Sequence, residues 1–370
     1  MAADGHDPLL AKILGDLRKA KAGIYTNFAD GVKVSEPHFR LSTGVTLLDY
    51  AIGGGLPVGR VVEIHGKEAT GKSLIGLNLI GEAVKLGWIA AYLETERAPT
   101  VDFATRLGHV DPDSFIYINP PLDKGGEPQP WTLEAAMDAI SEFIETTRVT
   151  SPVSDGIPIV IVWDSYAGLC CKSELLLRMD QRDAMGKRAY TLRTWFTKEV
   201  QTFSNQEVLL IVMNHVTANI GNPFEPETTP GGSAIRMFTS VRLKFRNGEI
   251  IKNEETKDPK GVWVQWRIIK NRMDQPGRTS RFPIYYADGI HDHEALFDFL
   301  WERGHLGSSR GWVTWGDKKY RKDDFLAKVA ADPNVRSVLA THAKQVWDDK
   351  AGDEPEVGVE EGFTTDGSET

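Results

Sequence analysis

Apolar residues along this chain fall into two rhythms. "PLLAKILGDLRKAK" (8–21) spaces Leu9, Leu10, Ile13, Leu14 and Leu17 along one helical stripe, and a polar linker follows. "RVVEIHG" (60–66) reads as a strand entering a glycine turn, and "KSLIGLNLIGEAVKLG" (72–87) as a helix with glycine at its end. "WIAAYLE" (88–94), "FIYIN" (115–119), "IPIVIVWD" (157–164) and "EVLLIVMNH" (207–215) are continuous apolar runs of strand length. Helical patterns lie between most of them, near 99–107, 132–147 and 187–203. Strands apolar on both faces and separated by helices predict an α/β core, a parallel sheet covered on both sides.

Further on the pattern changes. "VRLKFRNGEII" (241–251) and "VWVQWRIIK" (262–270) have no helix between them, so the sheet is expected to end in antiparallel strands. From about residue 290 a helix "HEALFDFLWERG", a tryptophan-rich turn region and two helices to about Trp347 predict a small C-terminal module. The widest break follows His215, where some eighteen residues of Gly, Pro, Thr and Glu, including "NPFEPETTPGGS", precede the next apolar residues. A loop of that length without structure of its own is functional or disordered.

Charge changes this picture at one end only. The net charge is −9, yet the segment from Asp348 holds nine acids against Lys350 alone, which leaves about −1 for residues 1–347. That segment is too poor in apolar residues to bury and reads as a disordered acidic tail, so basic patches on the body remain open. No apolar run approaches the ~18–20 residues of a membrane span, and the N-terminus lacks the layout of a signal peptide. The two cysteines, Cys170 and Cys171, are adjacent and form neither a disulfide framework nor a CxxC metal pattern; they read as buried apolar side chains of a cytoplasmic protein.

The chemistry begins at "GKEATGKS": Gly66, Lys67, Glu68, Ala69, Thr70, Gly71, Lys72 and Ser73. The run fits GxxxxGK[ST] between a strand and a helix. Its glycines let backbone N–H groups close around phosphate oxygens, Lys72 would reach the β- and γ-phosphates, and Ser73 would ligate Mg²⁺. Asp164, at the end of another strand of the sheet, is the expected carboxylate of the Mg²⁺ shell. Glu94 and Glu96 follow a third strand. Two carboxylates beside one polyphosphate repel it, so at most one should point inward, the other serving at the surface or as a cap.

These pieces together resemble the bacterial RecA recombinases. "FRLSTGVTLLDYAIGGGLPVGRVVEIHGKEATGKS", "AYLETERA", "IVIVWDS", "LLIVMNHV", "PETTPGGSAIRMFTSVRL" and "RIIKNRMDQPGR" occur in that family's order and at about its spacing, over nearly the whole chain. The resemblance implies a RecA-like P-loop ATPase core over 36–288, an N-terminal helix and linker (1–35) for subunit packing, a small C-terminal α+β domain (289–347) and the acidic tail (348–370). It implies ATP and Mg²⁺, DNA-stimulated hydrolysis, and helical filaments on single-stranded DNA that pair with homologous double-stranded DNA. Single-strand-binding and loader proteins are further candidate partners, and a membrane is not. An acidic tail in this position implies competition with DNA for basic surface.

By position the resemblance makes Glu96 the catalytic glutamate and sets Phe103 and Tyr286 against the adenine. Lys270 and Arg272 become cations that reach a neighbour's γ-phosphate. A first DNA loop falls within 172–183, with Arg178, Met185, Gly186 and Arg193 at or beyond it. A second runs from Val216 to Ser233, with Ile220, Phe224, Thr229, Gly231, Gly232, Ser233 and then Arg236 as DNA contacts. His215 departs from the family, which usually has a glutamine there to sense γ-phosphate. Either its imidazole donates the same hydrogen bond, with a pH dependence, or the coupling is weaker. The 119–131 stretch reads as a surface insertion, and the first loop, with Arg178 and Arg182, is more basic than the family leads one to expect. Such divergence fits a phage or otherwise distant branch. Two rival readings share the P-loop: a helicase or recombination-mediator ATPase of the same fold, and, farther off, a small-molecule kinase.

Overall fold

The computed structural model describes residues 36–96, 100–150, 156–175, 177, 186–218, 227–307 and 311–349, with Lys12, Ile13, Asp16 and Lys19. Most of the predicted helix over 8–21, the segments 178–185 and 219–226, and the chain from Lys350 lie outside them. The first half runs β1 (Arg40–Leu41), α1 (Thr46–Ile52), β2 (Leu56–Pro57), β3 (Val61–Gly66), α2 (Lys72–Lys85), β4 (Ile89–Glu94), α3 (Val101–Arg106), β5 (Ile116–Ile118), α4 (Leu133–Thr150), β6 (Ile159–Asp164) and α5 (Lys172–Leu175). Then come α6 (Lys187–Asn205), β7 (Val208–His215), β8 (Thr217–Ala218), β9 (Glu227–Thr228), α7 (Gly232–Phe238), β10 (Thr239–Lys252), β11 (Pro259–Asn271), β12 (Thr279–Tyr285) and β13 (Gly289–Ile290). The last elements are α8 (Asp292–Glu302), β14 (Trp312–Trp315), β15 (Lys318–Arg321), α9 (Lys322–Ala331) and α10 (Pro333–Asp349).

Nine strands form one sheet in the order β13-β12-β11-β10-β3-β7-β6-β4-β5. The six from β10 to β5 are parallel. β11, β12 and β13 continue it antiparallel, as the change of pattern predicts. The central strands are continuous Val/Ile/Leu runs because both of their faces are covered: β6 is buried throughout, and β7 up to His215. Alternation then sorts side chains by face. Val62 and Ile64 join α1, α2 and the C-terminal helices in one apolar cluster; Val61 joins α4, α6 and α7 in the other.

Four expectations need correction. β5 is an edge strand, so its apolar run is not covered on both sides: Ile116 and Tyr117 are 46% and 47% exposed. The stretch after His215 has structure of its own, since Thr217–Ala218 pairs antiparallel with Glu227–Thr228 and a helix begins at Gly232. The sheet runs past residue 288 to Ile290, and the C-terminal helices share one apolar cluster with the sheet. Trp347 lies 6.4 Å from Trp266 of β11, and the Tyr50 hydroxyl donates to the Ala340 carbonyl at 3.0 Å. Finally, α10 carries Asp348 and Asp349, so the first two acids of the expected tail are helical. The 119–131 stretch is exposed along most of its length, with Asp123 Oδ1 accepting from the N–H groups of Gly125 and Glu127.

Candidate functional site

The loop between β3 and α2 is shaped by its glycines. A Cβ on Gly66 would lie 2.5 Å from the Phe245 carbonyl oxygen, and Gly71 sits at φ 80° with Ile284 packed where its Cβ would go. No side-chain hydrogen bond caps α2, so its first-turn N–H groups face the loop. Lys72 is 6% exposed, and its Nζ donates to the carbonyls of Gly66 and Lys67 at 3.1 and 2.7 Å. Burial pulls its pKa down, partly opposed by Asp164, Glu96 and Glu68. The cradle thus offers a polyphosphate both backbone donors and a cation.

Next to it stand the ends of β4 and β6, in register at Glu94 and Asp164. Asp164 is 6% exposed and its Oδ2 accepts from the Tyr92 hydroxyl at 2.7 Å, which is also hydrogen-bonded to Ser73. Tyr92, buried and with its pKa pushed well up by that burial and by Asp164, therefore bridges the two residues expected to hold Mg²⁺. The sequence reading missed it, because within an apolar strand a tyrosine looks like core.

The paired glutamates divide as electrostatics requires. Glu96 faces the cavity, its Oε1 accepting from the Ser165 hydroxyl and lying 3.1 Å from His215 Nε2. A carboxylate oxygen only accepts, so Nε2 carries the proton there. Glu94 points away and caps: its Oε1 accepts the Glu96 N–H at 2.6 Å and Oε2 accepts from Tyr117 at 3.3 Å. It is 3% exposed, which removes the surface alternative.

One cavity of about 370 Å³ unites Glu68, Ala69, Thr70, Gly71, Lys72, Ser73, Glu96, Asp164 and His215 with an apolar end. Phe103 and the half-exposed Tyr286 line that end, as expected. Leu107, Val262, Ile284 and Tyr285 line it too and were not anticipated, since neither the pairing of β11 with β12 nor the placing of the end of α3 beside them is visible in any one segment alone. Gly66 and Lys67 form the loop's base and do not line the cavity; Lys67 Nζ lies 3.6 Å from Glu227.

Lys270 and Arg272 lie elsewhere. Lys270 is opposite Arg242, which is opposite Glu63, three residues before Gly66 and two strands away. At ~3.3 Å per residue and ~4.8 Å per strand that is about 14 Å between backbones. Lys270 Nζ donates to the Arg236 carbonyl at 2.6 Å, and Arg272 to the Met237 carbonyl at 3.0 Å, at the C-terminal end of α7. Burial, then Arg272 and Arg242, lower the Lys270 pKa to about 8.

Three ties anchor the ends of the second loop, the first to the cavity and the others to the strands that lead to it. His215, the neighbour of Glu96, is the last residue of β7. Asn214 Nδ2 donates to Glu63 at 2.7 Å and to the Tyr166 hydroxyl at 2.6 Å, and Tyr166 donates to the Pro230 carbonyl. Arg242 pairs with Glu63 and donates to Thr229 Oγ1 at 3.3 Å. Thr229, expected as a DNA contact, is 5% exposed: its hydroxyl anchors the loop from within. His65, wedged among Arg242, Lys244 and Lys72, has its pKa driven to about 3, first by burial, and stays neutral. Gly186, Arg193, Gly232, Ser233 and Arg236 are exposed, and a Cβ on Gly232 would lie 3.3 Å from Ala189, so α6 and α7 start side by side. Gly231 sits behind them at φ 90°, against Tyr166. Arg178, Met185, Ile220 and Phe224 lie outside the described residues.

A parallel sheet ending in a P-loop, with a carboxylate beside its serine and a second carboxylate across the cavity, defines a P-loop ATPase of the α/β class. The profile of the RecA N-terminal domain matches residues 29–291. The chain is 33% identical to Protein RecA of Leptospira meyeri over 75% of its own length and 67% of that protein's. It is 32% identical to Protein RecA of Kineococcus radiotolerans over 89% and 91%, and to that of Leptospira biflexa over 83% and 74%. The chain belongs to the RecA family. With the family comes its work: ATP-dependent homologous recombination and DNA repair, by a filament on single-stranded DNA that exchanges strands with a homologous duplex. No helix among the described residues is long and apolar enough to cross a membrane.

Proposed function

We propose that this chain's residues divide that work between two copies, and that it is a DNA-stimulated ATPase of the cytoplasm. ATP binds in the cavity of one copy, while Lys270 and Arg272 of the next approach its γ-phosphate. The observation that supports this is the separation of about 14 Å between the Lys270 backbone and the phosphate loop, beyond the reach of one lysine side chain. Contacts of this kind join unlike surfaces head to tail, and an interface that does not close on itself builds a helix.

Lys72 and the loop N–H groups hold the phosphates. Ser73 and Asp164, steadied by Tyr92, would hold Mg²⁺, whose charge offsets that of the phosphate oxygens. Glu96 takes the proton-accepting side of an attacking water, its orientation fixed by Ser165 and His215. A shift of Glu96 on phosphate binding moves His215, the residue before the second loop, and so couples nucleotide to DNA. Arg193 and Arg236, with Arg178, meet DNA phosphates, while Ile220 and Phe224 enter between bases. When Lys270 and Arg272 turn to a neighbour's phosphate they leave the α7 carbonyls of Arg236 and Met237.

ATPase activity measured with and without single-stranded DNA tests this reading. Turnover stimulated by single-stranded DNA, with D-loop formation on homologous duplex, is expected. Turnover indifferent to DNA would overturn it in favour of a kinase-like enzyme, and stimulation without D-loops would favour a helicase or mediator.

A further inference from the structure

Outside the nucleotide cavity, one cluster of side chains has the chemistry of a metal site. His291, His293 and Glu294 belong to "HDHE" at the start of α8, and one ligating atom from each lies within 4.8 Å of the others. Residues two apart on a helix do not face each other. His291, however, is the residue before α8, at φ −107° and ψ 83°, and this swings its ring over His293 with centroids 5.2 Å apart. All three residues are half-buried.

What surrounds them is arranged as outer partners of a metal are. His291 Nε2 lies 2.9 Å from Asp288 Oδ2, while its Nδ1 lies 3.1 Å from Glu294 Oε1. The other Glu294 oxygen accepts from the Tyr285 hydroxyl at 2.8 Å. A metal-bound imidazole commonly gives its second nitrogen to a carboxylate, and a ligating carboxylate is itself hydrogen-bonded. Both partners are in place. Donors ~2.0–2.2 Å from a tetrahedral ion lie roughly 3.3–3.5 Å apart, close to the Nδ1–Oε1 separation here.

We propose that His291, His293 and Glu294 bind one Zn²⁺ or a similar borderline divalent ion, with Asp288 and Tyr285 as outer partners. Two imidazoles and one carboxylate favour such an ion over Mg²⁺ or Ca²⁺, which take oxygen ligands. Three protein ligands leave a fourth position for water. The ion takes the place of the proton between Nδ1 and Oε1, and that proton goes to solvent. The site clamps the β12–α8 connection. The same turn is tied to α3 by Arg106, which donates to the carbonyls of Tyr286 and Ala287 at 2.9 Å, and to the residues after α3 by His109 at the Asp288 carbonyl. Occupancy therefore steadies the wall carrying Tyr286 and the start of the C-terminal helices.

The test uses the full chain, stripped with a chelator and free of nucleotide. Zn²⁺ is titrated against a chromophoric chelator, and Co²⁺ is added separately to read its visible absorption. One equivalent at micromolar Kd or tighter is expected, with a Co²⁺ band of tetrahedral intensity and a rise in Tm on metal addition. His293→Ala and Glu294→Gln should each weaken binding by about 100-fold or more, and Asp288→Asn by ~10–100-fold. His293→Gln, with circular dichroism of each variant, separates lost binding from lost folding. Only millimolar binding, or micromolar binding that His293→Ala, His293→Gln and Glu294→Gln leave unchanged, would overturn the assignment.

Discussion

The two ends of the central sheet hold their cations in opposite ways. At the phosphate end Lys72 is buried, shares a cavity with Asp164 and Glu96, and is steadied by the carbonyls of its own loop. At the other end Lys270 and Arg272 are spent on the final carbonyls of a seven-residue helix. A helix C-terminus is a modest, solvent-screened partner, worth ~0.3–1 kcal/mol per cation. The first arrangement is closed within one chain. The second is a pair of cations parked where they are easily exchanged for a stronger anion.

The largest effects should come from breaking either half. Lys270→Ala and Arg272→Ala should each lower DNA-dependent hydrolysis by about 10³-fold, the scale of a cation supplied in trans. Nucleotide binding to the isolated chain, read by fluorescence of a labelled analogue, should be nearly unchanged. Lys72→Ala should lose both binding and hydrolysis. Mixing Lys270→Ala with Lys72→Ala chains restores junctions that have both halves intact, so part of the turnover should return. No return at any ratio, with co-assembly shown by energy transfer between labels, would place both halves in one chain.

Within the phosphate end the two glutamates allow a finer contrast. Glu96→Gln should keep ATP and DNA binding while hydrolysis falls by ~10²-fold, leaving long-lived filaments visible in light scattering. Glu94→Gln retains a carbonyl oxygen for the Glu96 N–H, so turnover should stay close to the unaltered protein. Glu94→Ala orphans that N–H and should cost about 1–3 kcal/mol of stability in denaturant melts. If Glu94→Gln were the inactive one, the roles would be reversed.

Much of this was legible in the residues. Continuous apolar strands and GKEATGKS gave the parallel core and the phosphate cradle because each is a local pattern with a local cause. The pieces that were not legible depend on register or burial. Leu107, Val262, Ile284 and Tyr285 reach the cavity only once β11 and β12 pair and α3 packs beside them. Thr229 looks like any loop threonine until Arg242 is seen to cross from β10 to its hydroxyl. Glu94 and Glu96 are equivalent as letters; the family's pattern alone chose Glu96, and the Glu96 N–H bonded to Glu94 is the physical difference between them. The extension of α10 over Asp348 and Asp349 follows from packing of Val346 and Trp347, which holds the helix beyond where composition suggests it should end.

The smallest effect sharpens the comparison through pH. In the unassembled chain the Lys270 pKa is lowered from 10.5 to about 8, by burial first and then by Arg272 and Arg242. At pH 7 the ammonium is mostly charged; at pH 9 only about a tenth is, which follows from one pH unit above the pKa. Assembly that needs this cation should therefore slow by up to about tenfold between pH 7 and 9. Stability moves the other way. Between pH 8 and 10.5 the unfolded chain binds more protons at Lys270 than the folded one, so this group's contribution to stability rises with pH in that window. Lys270→Arg keeps its charge throughout, and its assembly rate should be flatter over the same range. Filament growth rates and urea midpoints measured on both proteins from pH 7 to 9 separate the two trends. Growth that falls equally in Lys270→Arg would assign the pH dependence to another group.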